Sequence, residues 1–396
     1  MAVRGWRRKA GFVALLYALL PAPVLADEDW AERALARSLT PPLGLPVQSH
    51  PADNPPTSEK IALGRKLFFD RRLSLNGTMS CAMCHIPEQD FTNVEIATAV
   101  GLEGRSGRRN APSLINVGYM RHLFHDGRET ALETQYLAPL TAHNEMANPS
   151  VGHVVTLIAG LDDYRPLFQA VFGAGPSVDR IGQALGAYQR TLVAGDSRFD
   201  RWRYGGEADA LSASEQRGFA LFSGKAGCIS CHPAGDDTAL FTDQGLHDIG
   251  YGFEREQLRQ GRLGGTVPVE VAPGVRHDVP RAIIDAVSLP AMPDVGRYEV
   301  TQDPADRWVF RTPSLRNVAV TRPYMHDGGI TSLDAVVAFY NRGGAPHEGQ
   351  DPRIRPLGLT EPEIRDLVGF LTTLTSAGRD RLVEDARVAP PDNWND

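Results

Sequence analysis

Two copies of one short motif carry the clearest chemistry in the sequence. Each has two cysteines three positions apart and a histidine directly after the second: Cys81, Cys84 and His85 in SCAMCHIP, and Cys228, Cys231 and His232 in GCISCHP. In such a C-x-x-C-H motif, both thiols form thioethers with the vinyl groups of a haem, and the imidazole lies under the iron. The sequence therefore predicts two covalently bound haem c groups.

Other uses of paired cysteines fit less well. C-x-x-C alone would also suit half a zinc site or a thioredoxin-like redox pair. The two motifs contain all four cysteines of the chain, and their histidines lie 147 residues apart. This separation is much longer than the loop between the two halves of a zinc site.

The N-terminus has the layout of a secretory signal. Basic residues at Arg4, Arg7, Arg8 and Lys9 precede an apolar run, and VLA offers small residues for cleavage after Ala26. The run is short for a membrane span, although an uncleaved anchor is the alternative interpretation. Cleavage removes these four basic residues and changes the net charge from −7 to −11, which argues against nucleic acid as a partner. We expect a periplasmic protein with no membrane span after cleavage.

The second half of the chain repeats features of the first. EKIALGRKLFF and EQRGFALFSGKAG precede the two haem motifs, and both have a glycine four residues before a phenylalanine: Gly64 and Phe68, then Gly218 and Phe222. Both stretches are typical of amphipathic helices, and residues 212–215 have the spacing of a capping box.

A second repeat follows each motif. NAPSLINVGYMRHLFHDG and RTPSLRNVAVTRPYMHDG both place a histidine 13 residues after a proline: Pro112 and His125, then Pro313 and His326. The pattern predicts a mostly α-helical protein of two related c-type cytochrome domains, each around one covalent haem. We expect a signal peptide at 1–26, an N-terminal haem domain at 27–205, a C-terminal haem domain at 206–378 and a loosely held tail at 379–396.

The repeat also exposes a difference between the halves. Fourteen residues after the histidine of each HDG stands Pro139 in the first half and Tyr340 in the second. A tyrosine oxygen can bind ferric iron, whereas proline offers no ligand atom. The sequence therefore predicts one haem closed by a sixth ligand and one left open.

With these motifs in view, residues 57–375 resemble the bacterial dihaem cytochrome c peroxidase superfamily. The chain looks most like its MauG branch, and closest to the methanobactin-associated, MauG-like (MbnH-type) enzymes. Much of this resemblance lies in DVGRYEVTQDPADRWVFRTPSLRNVAVTRPYMHDGGITSLDAVVAFYNRGG. The preceding GTVPVEVAPGVRHDV looks like an insertion relative to classical peroxidases.

The resemblance implies how each iron is closed. Tyr340 stands where classical peroxidases have a methionine ligand and MauG-type enzymes a tyrosine, so the haem on His232 would be six-coordinate. Leu102 stands where classical peroxidases have a capping histidine, so the haem on His85 would be open and peroxidatic. Alternatives remain for both irons: Met325 for the second haem, and His122, His125 or His143 for the first.

The resemblance also implies a peroxide pocket formed by Gln135, Pro139 and Glu145. Glu145 would move a proton between the two oxygens of peroxide, and Gln135 would hold the oxidant by a hydrogen bond. Without the resemblance, these would be a solvated loop carboxylate and an exposed helix residue. His125 stands where the family has a tryptophan between the haems. Either electron transfer between the haems takes another route, or His125 serves by hydrogen bonding. A structural role for His125 is the third interpretation. Ala226 replaces the tryptophan that MauG uses before its second motif.

Three residues match the calcium site that the family has between its domains: Asn110, Thr321 and Pro323. An amide oxygen and backbone carbonyls are oxygen ligands of the kind that calcium prefers. The resemblance therefore implies one Ca²⁺ in addition to the two haem c groups.

The expected function is that of a MauG-type dihaem peroxidase. Hydrogen peroxide would form a high-valent dihaem state that oxidises a tryptophan or tyrosine of a periplasmic partner protein. The second hypothesis is a cytochrome c peroxidase that takes electrons from a small c-type cytochrome or cupredoxin. A third, of another class, is a dihaem electron-transfer protein with both irons six-coordinate.

Overall fold

The computed structural model describes residues 30–262, 265–281, 283–284 and 294–388. The predicted signal peptide lies outside these residues. The α-helices are α1 Trp30–Leu39, α2 Ser58–Phe69, α3 Cys81–Cys84, α4 Leu132–Gln135, α5 Leu137–Thr141, α6 Val151–Gly160, α7 Arg165–Phe172, α8 Val178–Gln189, α9 Arg198–Arg203, α10 Ala213–Ser223, α11 Tyr251–Arg262, α12 Tyr298–Thr301, α13 Leu333–Asn341, α14 Glu361–Thr372 and α15 Arg379–Arg387. The predicted mostly helical fold is confirmed.

Short strands complete the described structure. β1 (Leu246–His247) pairs with β4 (Phe310–Arg311), and β2 (Thr266–Ala272) pairs with β3 (Val275–Pro280); both pairs are antiparallel. The β2–β3 hairpin contains the stretch that looked like an insertion, and most of its side chains are exposed. Among the described residues, no helix is both long enough and apolar enough to cross a membrane.

The helix that precedes each haem motif crosses a later helix at the repeated glycine. In the first half α2 packs on α8, and a Cβ added to Gly64 would lie 1.9 Å from the carbonyl oxygen of Ala184. In the second half α10 packs on α14, and a Cβ added to Gly218 would lie 2.0 Å from the carbonyl oxygen of Asp366. The glycines therefore recur because each crossing brings two backbones into contact. The capping box predicted at 212–215 is present at the start of α10.

Two hydrophobic cores follow the predicted repeat. The first includes residues of α1, α2, α6, α7 and α8, and the second includes residues of α9, α10, α13 and α14. Ala194 belongs to the first core, whereas Phe199 packs on Phe241 at 5.2 Å and on Phe370 at 5.7 Å in the second. The change between cores therefore falls a few residues before the predicted boundary at 205/206.

The predicted loosely held tail is wrong for its described part. Arg379–Arg387 form α15, and its buried residues Leu382 and Ala386 complete the first core. Asp385 on this helix accepts a hydrogen bond from Arg37 of α1 at 2.8 Å. The segment is polar in composition, so its two small or apolar residues were not recognised as a core face. Because these residues lie four positions apart, they are enough to give a short helix one buried face.

A buried ion pair holds four parts of the chain together. Arg316 Nη1 donates to Asp200 Oδ2 at 2.9 Å, and the two side chains are 1% and 0% exposed. The same guanidinium donates to the carbonyls of Ala239, at 2.7 Å, and Gly44, at 2.6 Å. Both charges are thus surrounded by hydrogen-bond partners, as burial requires.

We expect Arg316→Ala to lower the free energy of unfolding by about 3–5 kcal/mol, because it leaves the Asp200 carboxylate buried without its counter-charge. Arg217→Ala is the matched control, because Arg217 pairs with Asp366 at 2.7 Å but its side chain is 63% exposed. Such exposed pairs contribute about 0–1 kcal/mol. Denaturant unfolding of both holoproteins measures the difference, and equal losses would contradict this account.

Candidate haem and peroxide site

A cavity of about 800 Å³ is lined by residues of both haem motifs and by both halves of the chain. The predicted site residues on its wall are Cys84, His85, Asn110, His125, Gln135, Pro139, Glu145, Cys228, Cys231, His232, Thr321, Pro323 and Tyr340. Cys81 begins the short helix α3 that ends at Cys84. The structure therefore gathers the predicted site around one space.

The two motif histidines have the same hydrogen bond. His85 Nδ1 lies 3.0 Å from the carbonyl oxygen of Phe91, and His232 Nδ1 lies 2.8 Å from that of Phe241. Because a carbonyl only accepts, each Nδ1 carries the hydrogen and each Nε2 is left free for a metal. Burial lowers the pKa of both histidines, which favours the neutral imidazole that a metal ligand needs.

The repeated PSL segments hold the loops that carry these acceptor carbonyls. Ser113 Oγ donates to the carbonyl of Asp90, and Ser314 Oγ donates to the carbonyl of Leu240, both at 2.7 Å. Asp90 and Leu240 immediately precede Phe91 and Phe241 in the chain. The second repeat in the sequence thus fixes the backbone on which each motif histidine is oriented.

A buried cation supports the fit of haem to the cavity. Arg311 lines the cavity, its Nε donates to the carbonyl of Phe124 at 3.0 Å, and burial lowers the pKa of its guanidinium to about 10. A buried cation is favourable only beside an anion. The propionates of haem are carboxylates that would fill this role, so Arg311 and the two motifs together fit a pair of haem c groups.

Tyr340 and Pro139 lie on the wall of the same cavity, on α13 and α5. Burial raises the pKa of Tyr340, and the nearby Cys228 and Cys231 raise it further, so its ring lies beside the second motif. A phenolate at this position therefore needs a cation such as ferric iron to stabilise it. Met325, the alternative ligand, also lines the cavity.

Among the histidines proposed to close the first haem, only His125 is on the cavity wall within the described residues. Its Nε2 donates to the carbonyl of Asn110 at 2.9 Å. Burial, Arg311 and Arg109 lower the pKa of His125 to about 3, so its ring is neutral at physiological pH. These contacts favour hydrogen bonding as the role of His125.

Glu145, Gln135 and Pro139 lie together on the wall near the first motif. Burial raises the pKa of Glu145, and the nearby Arg128 opposes that shift. Leu102 is buried away from the cavity, and its backbone N–H donates to the carbonyl of Glu145 at 3.0 Å. The loop that could have supplied a capping ligand instead positions the backbone of the pocket carboxylate.

Asn110 and Arg311 connect the halves through a reciprocal pair of backbone hydrogen bonds. The N–H of Asn110 donates to the carbonyl of His326 at 2.8 Å, and the N–H of Arg311 donates to the carbonyl of His125 at 2.7 Å. Sequence reasoning missed Arg311. The signal was present, because Asn110 and Arg311 both stand two residues before the proline of PSL.

The three predicted calcium ligands line the same cavity. Asn110 Nδ2 donates to the carbonyl of Ala97 at 2.9 Å, which orients the amide and leaves its Oδ1 to accept or to bind a cation. Thr321 Oγ1 donates to the carbonyl of Asn317 at 3.2 Å, which orients its hydroxyl, and both its hydroxyl and carbonyl oxygens keep lone pairs that could bind a cation. Calcium binding by Asn110, Thr321 and Pro323 stays a prediction.

The C-terminal helix α15 clamps the loop that follows the first motif. Arg379 Nε donates to Asp90 Oδ1 at 2.6 Å, and Arg387 Nη2 donates to Glu88 Oε2 at 2.6 Å. Asp90 directly precedes Phe91, the acceptor for the first motif histidine, and Glu88 stands three residues before it. Helix α15 therefore stabilises the position of that acceptor.

We expect Arg379→Gln to raise the midpoint potential of the first haem, because a looser loop weakens the hydrogen bond to His85 and makes the ligand less electron-rich. Arg217→Gln is the matched control, since it breaks an arginine–aspartate pair in the second half. Potentiometric titration of the two haems measures both potentials. Equal shifts of the two haems, or no shift of the first, would contradict the clamp.

Comparisons with known proteins agree with this geometry. The profile of the family described as di-haem cytochrome c peroxidase matches residues 58–209. Cytochrome-c peroxidase IdrP1 of Denitromonas iodatirespirans is 39% identical over 373 residues, which cover 91% of this chain and 93% of the relative. Methylamine utilization protein MauG of Methylorubrum extorquens is 38% identical over 327 residues, covering 82% of this chain and 80% of the relative.

A solved structure supports the same assignment. A MauG-like protein associated with microbial copper homeostasis superposes with a TM-score of 0.68 and is 33% identical, covering 86% of this chain and 96% of that one. Haem c is the cofactor that this family implies, and the two C-x-x-C-H motifs are where it would attach. The chain belongs to the dihaem cytochrome c peroxidase and MauG family, and it is a haem-dependent oxidoreductase.

Proposed function

We propose that the protein uses hydrogen peroxide to oxidise a tryptophan or tyrosine side chain of a periplasmic partner protein. One observation carries the proposal: the two halves hold His85 and His232 alike, whereas the residue fourteen positions after the HDG histidine, which lines the cavity in both halves, is Pro139 in the first and Tyr340 in the second. This difference supports one open haem and one closed by tyrosine. An anionic oxygen ligand on the second iron favours storage of an oxidising equivalent over simple relay.

The residues of the chain supply proton transfer and positioning. Haem, when bound at both motifs, supplies the iron that reacts with peroxide and the capacity to store its oxidising equivalents. Glu145 takes a proton from the near oxygen of peroxide and returns it to the leaving oxygen. Its burial supports this role, because a raised pKa brings a carboxyl closer to the pH at which it must both accept and donate. Gln135 holds the oxidant by hydrogen bonding.

A second candidate function is the reduction of peroxide with electrons from a small c-type cytochrome or cupredoxin. It is favoured by the relative named as a cytochrome-c peroxidase. Leu102 and Tyr340 favour the first candidate, because classical peroxidases have a histidine and a methionine at these positions. Pro139 argues against a carrier with both irons six-coordinate.

The periplasmic location and the calcium ion are part of the proposal. The location is supported by the basic start, apolar run and small residues of 1–26. The calcium site is supported by the place of Asn110, Thr321 and Pro323 on the wall of one cavity, and by the hydrogen bond from Asn110 Nδ2 to Ala97, which leaves the Oδ1 of Asn110 as an available oxygen.

Low-temperature EPR tests the proposed function. We expect the resting ferric protein to give one high-spin and one low-spin signal, and one equivalent of peroxide to remove both, with slow return when no electron donor is present. Two low-spin signals and no reaction would contradict the proposal. If the two EPR signals return at once only when a reduced c-type cytochrome is added, and no side chain of a partner is oxidised, the second candidate is favoured.

We expect Tyr340→Phe to abolish the low-spin signal of the second haem, because phenylalanine has no ligand atom. Tyr324→Phe is the matched control: Tyr324 also lines the cavity, but its hydroxyl donates to the carbonyl of Val318 at 2.9 Å. EPR of both variants gives the answer. An unchanged spectrum in Tyr340→Phe would exclude Tyr340 as the ligand and leave Met325 as the candidate.

We expect Glu145→Gln to slow the reaction with peroxide by about 10²–10⁴, the range typical of a lost acid–base group. The rate of the wild-type protein should fall as pH decreases through the raised pKa of Glu145, because the protonated carboxyl cannot accept the peroxide proton. This acid limb should be absent from Glu145→Gln. Stopped-flow kinetics measure both effects, with the exposed Glu103→Gln as control; equal rates in the two variants would remove the role of Glu145.

A further inference from the structure

A series of neighbouring rings runs from Tyr340 through rings of the cavity wall to Trp308, which does not line the cavity. The ring centroids are 5.3 Å apart for Tyr340 and Phe339, 5.7 Å for Phe339 and Tyr251, 5.5 Å for Tyr251 and His326, and 3.9 Å for His326 and Phe310. Trp308 follows, because a Cβ added to Gly252 would lie 3.1 Å from Trp308 Cδ1 and 3.2 Å from Phe310 Cε2. We call this series the aromatic route.

Apart from Tyr340, the most readily oxidised side chains of the route are Tyr251 and Trp308. Each of them donates a hydrogen bond to a carboxylate. The hydroxyl of Tyr251 donates to Asp327 Oδ1 at 2.9 Å. The indole N–H of Trp308 donates to Glu256 Oε2 at 2.9 Å. Loss of an electron makes a phenol or an indole N–H strongly acidic, so a carboxylate at this distance can accept the proton released by oxidation.

Trp308 is also held in an unusual conformation. Its φ is 60°, in the left-handed region that a bulky side chain rarely adopts. Such backbone strain persists where the surrounding structure imposes it. Trp308 is half-buried, and its ring packs on Phe253 and His347, each at 5.1 Å between ring centroids.

The charges around Trp308 act in opposite directions. The guanidinium of Arg307 lies 4.6 Å from the centre of the ring and disfavours a cationic radical there. Glu256, which also binds Arg307 at 3.0 Å, favours it. Transfer of the indole proton to Glu256 leaves a neutral radical, for which the repulsion by Arg307 no longer matters.

Two other tryptophans of the described chain lack this setting. Trp30 is buried in the first core. Trp202 packs on Phe199 at 6.0 Å and on Phe219 at 5.6 Å in the second core. Trp202 therefore serves as the matched control for Trp308, because it is an indole of the second half outside the route.

We propose that Trp308 is the exit through which the oxidising equivalent leaves the second haem for the partner protein, with Glu256 as its proton acceptor. The inference rests on the proposed function. In the step, Trp308 gives one electron through the aromatic route to the peroxide-oxidised haem centre, and its indole proton passes to Glu256. The aromatic side chain of the partner then gives one electron to the Trp308 radical, and the proton returns from Glu256 to the indole nitrogen.

The test needs no knowledge of the partner. The dihaem holoprotein is treated with peroxide and a nitroso spin trap in the absence of any other protein, and its tryptophan peptides are then mapped by mass spectrometry. We expect the trap and added oxygen at Trp308 of the wild-type protein and of Trp202→Phe, with little at Trp30 or Trp202. Glu256→Gln keeps the ring but removes the proton acceptor, so we expect the Trp308 adduct to decrease.

Further readouts separate this inference from the proposed function. In Trp308→Phe, the oxidised haem centre should decay more slowly than in wild type or Trp202→Phe when a tyrosine-containing peptide is the only reductant. An adduct at Trp202 instead of Trp308, or equal decay in the two variants, would overturn the inference even if a partner protein is oxidised. If the Trp308 adduct forms but no oxidised partner protein is found, the proposed function is overturned. The role of Trp308 as the residue that loses the electron is then retained.

Discussion

Much of the structure serves one hydrogen bond that occurs twice, from the Nδ1 of each motif histidine to a phenylalanine carbonyl. The bond fixes which nitrogen of His85 and His232 faces the cavity and how each ring is turned. Both phenylalanines have a positive φ, 54° for Phe91 and 52° for Phe241, so their carbonyls point to the histidines only because the surrounding loops impose this geometry. The PSL serines and the helix crossings at glycine supply that constraint in both halves.

The histidine hydrogen bond does not constrain the part of the cavity wall that carries Tyr340 and Pro139, and the two halves differ there. α13 runs unbroken from Leu333 to Asn341 and places Tyr340 on the cavity wall. Its counterpart is divided at Tyr136 into α4 and α5, with Pro139 at the equivalent position. A shared proximal frame with different distal residues allows two copies of one domain to hold the same cofactor for different tasks.

The sequence predicted the parts of the fold and site that depend on local patterns. The C-x-x-C-H motifs, the helices before them and the matched PSL and HDG spacings are all local, and the structure brings these residues to one cavity. It did not predict Arg311 or the contacts of Trp308, because burial of a cation and the meeting of rings depend on segments far apart in the chain. The sequence did not show that Phe199 belongs to the second core, because Phe199 follows a polar, turn-like stretch and finds its aromatic partners only after folding. Helix α15 was missed for the same reason, since its few apolar residues become informative only against α1 and α2.

Helix α15 makes the first haem domain discontinuous in the chain. Its residues pack into the core formed by the first half, although the whole second domain lies between them in sequence. Because a chain is synthesised from its N-terminus, the first haem motif is made long before the helix that closes its loop. Only a chain that extends through α15 can form the ion pairs with Asp90 and Glu88, so the loop before Phe91 is held in place only after the second domain has been made.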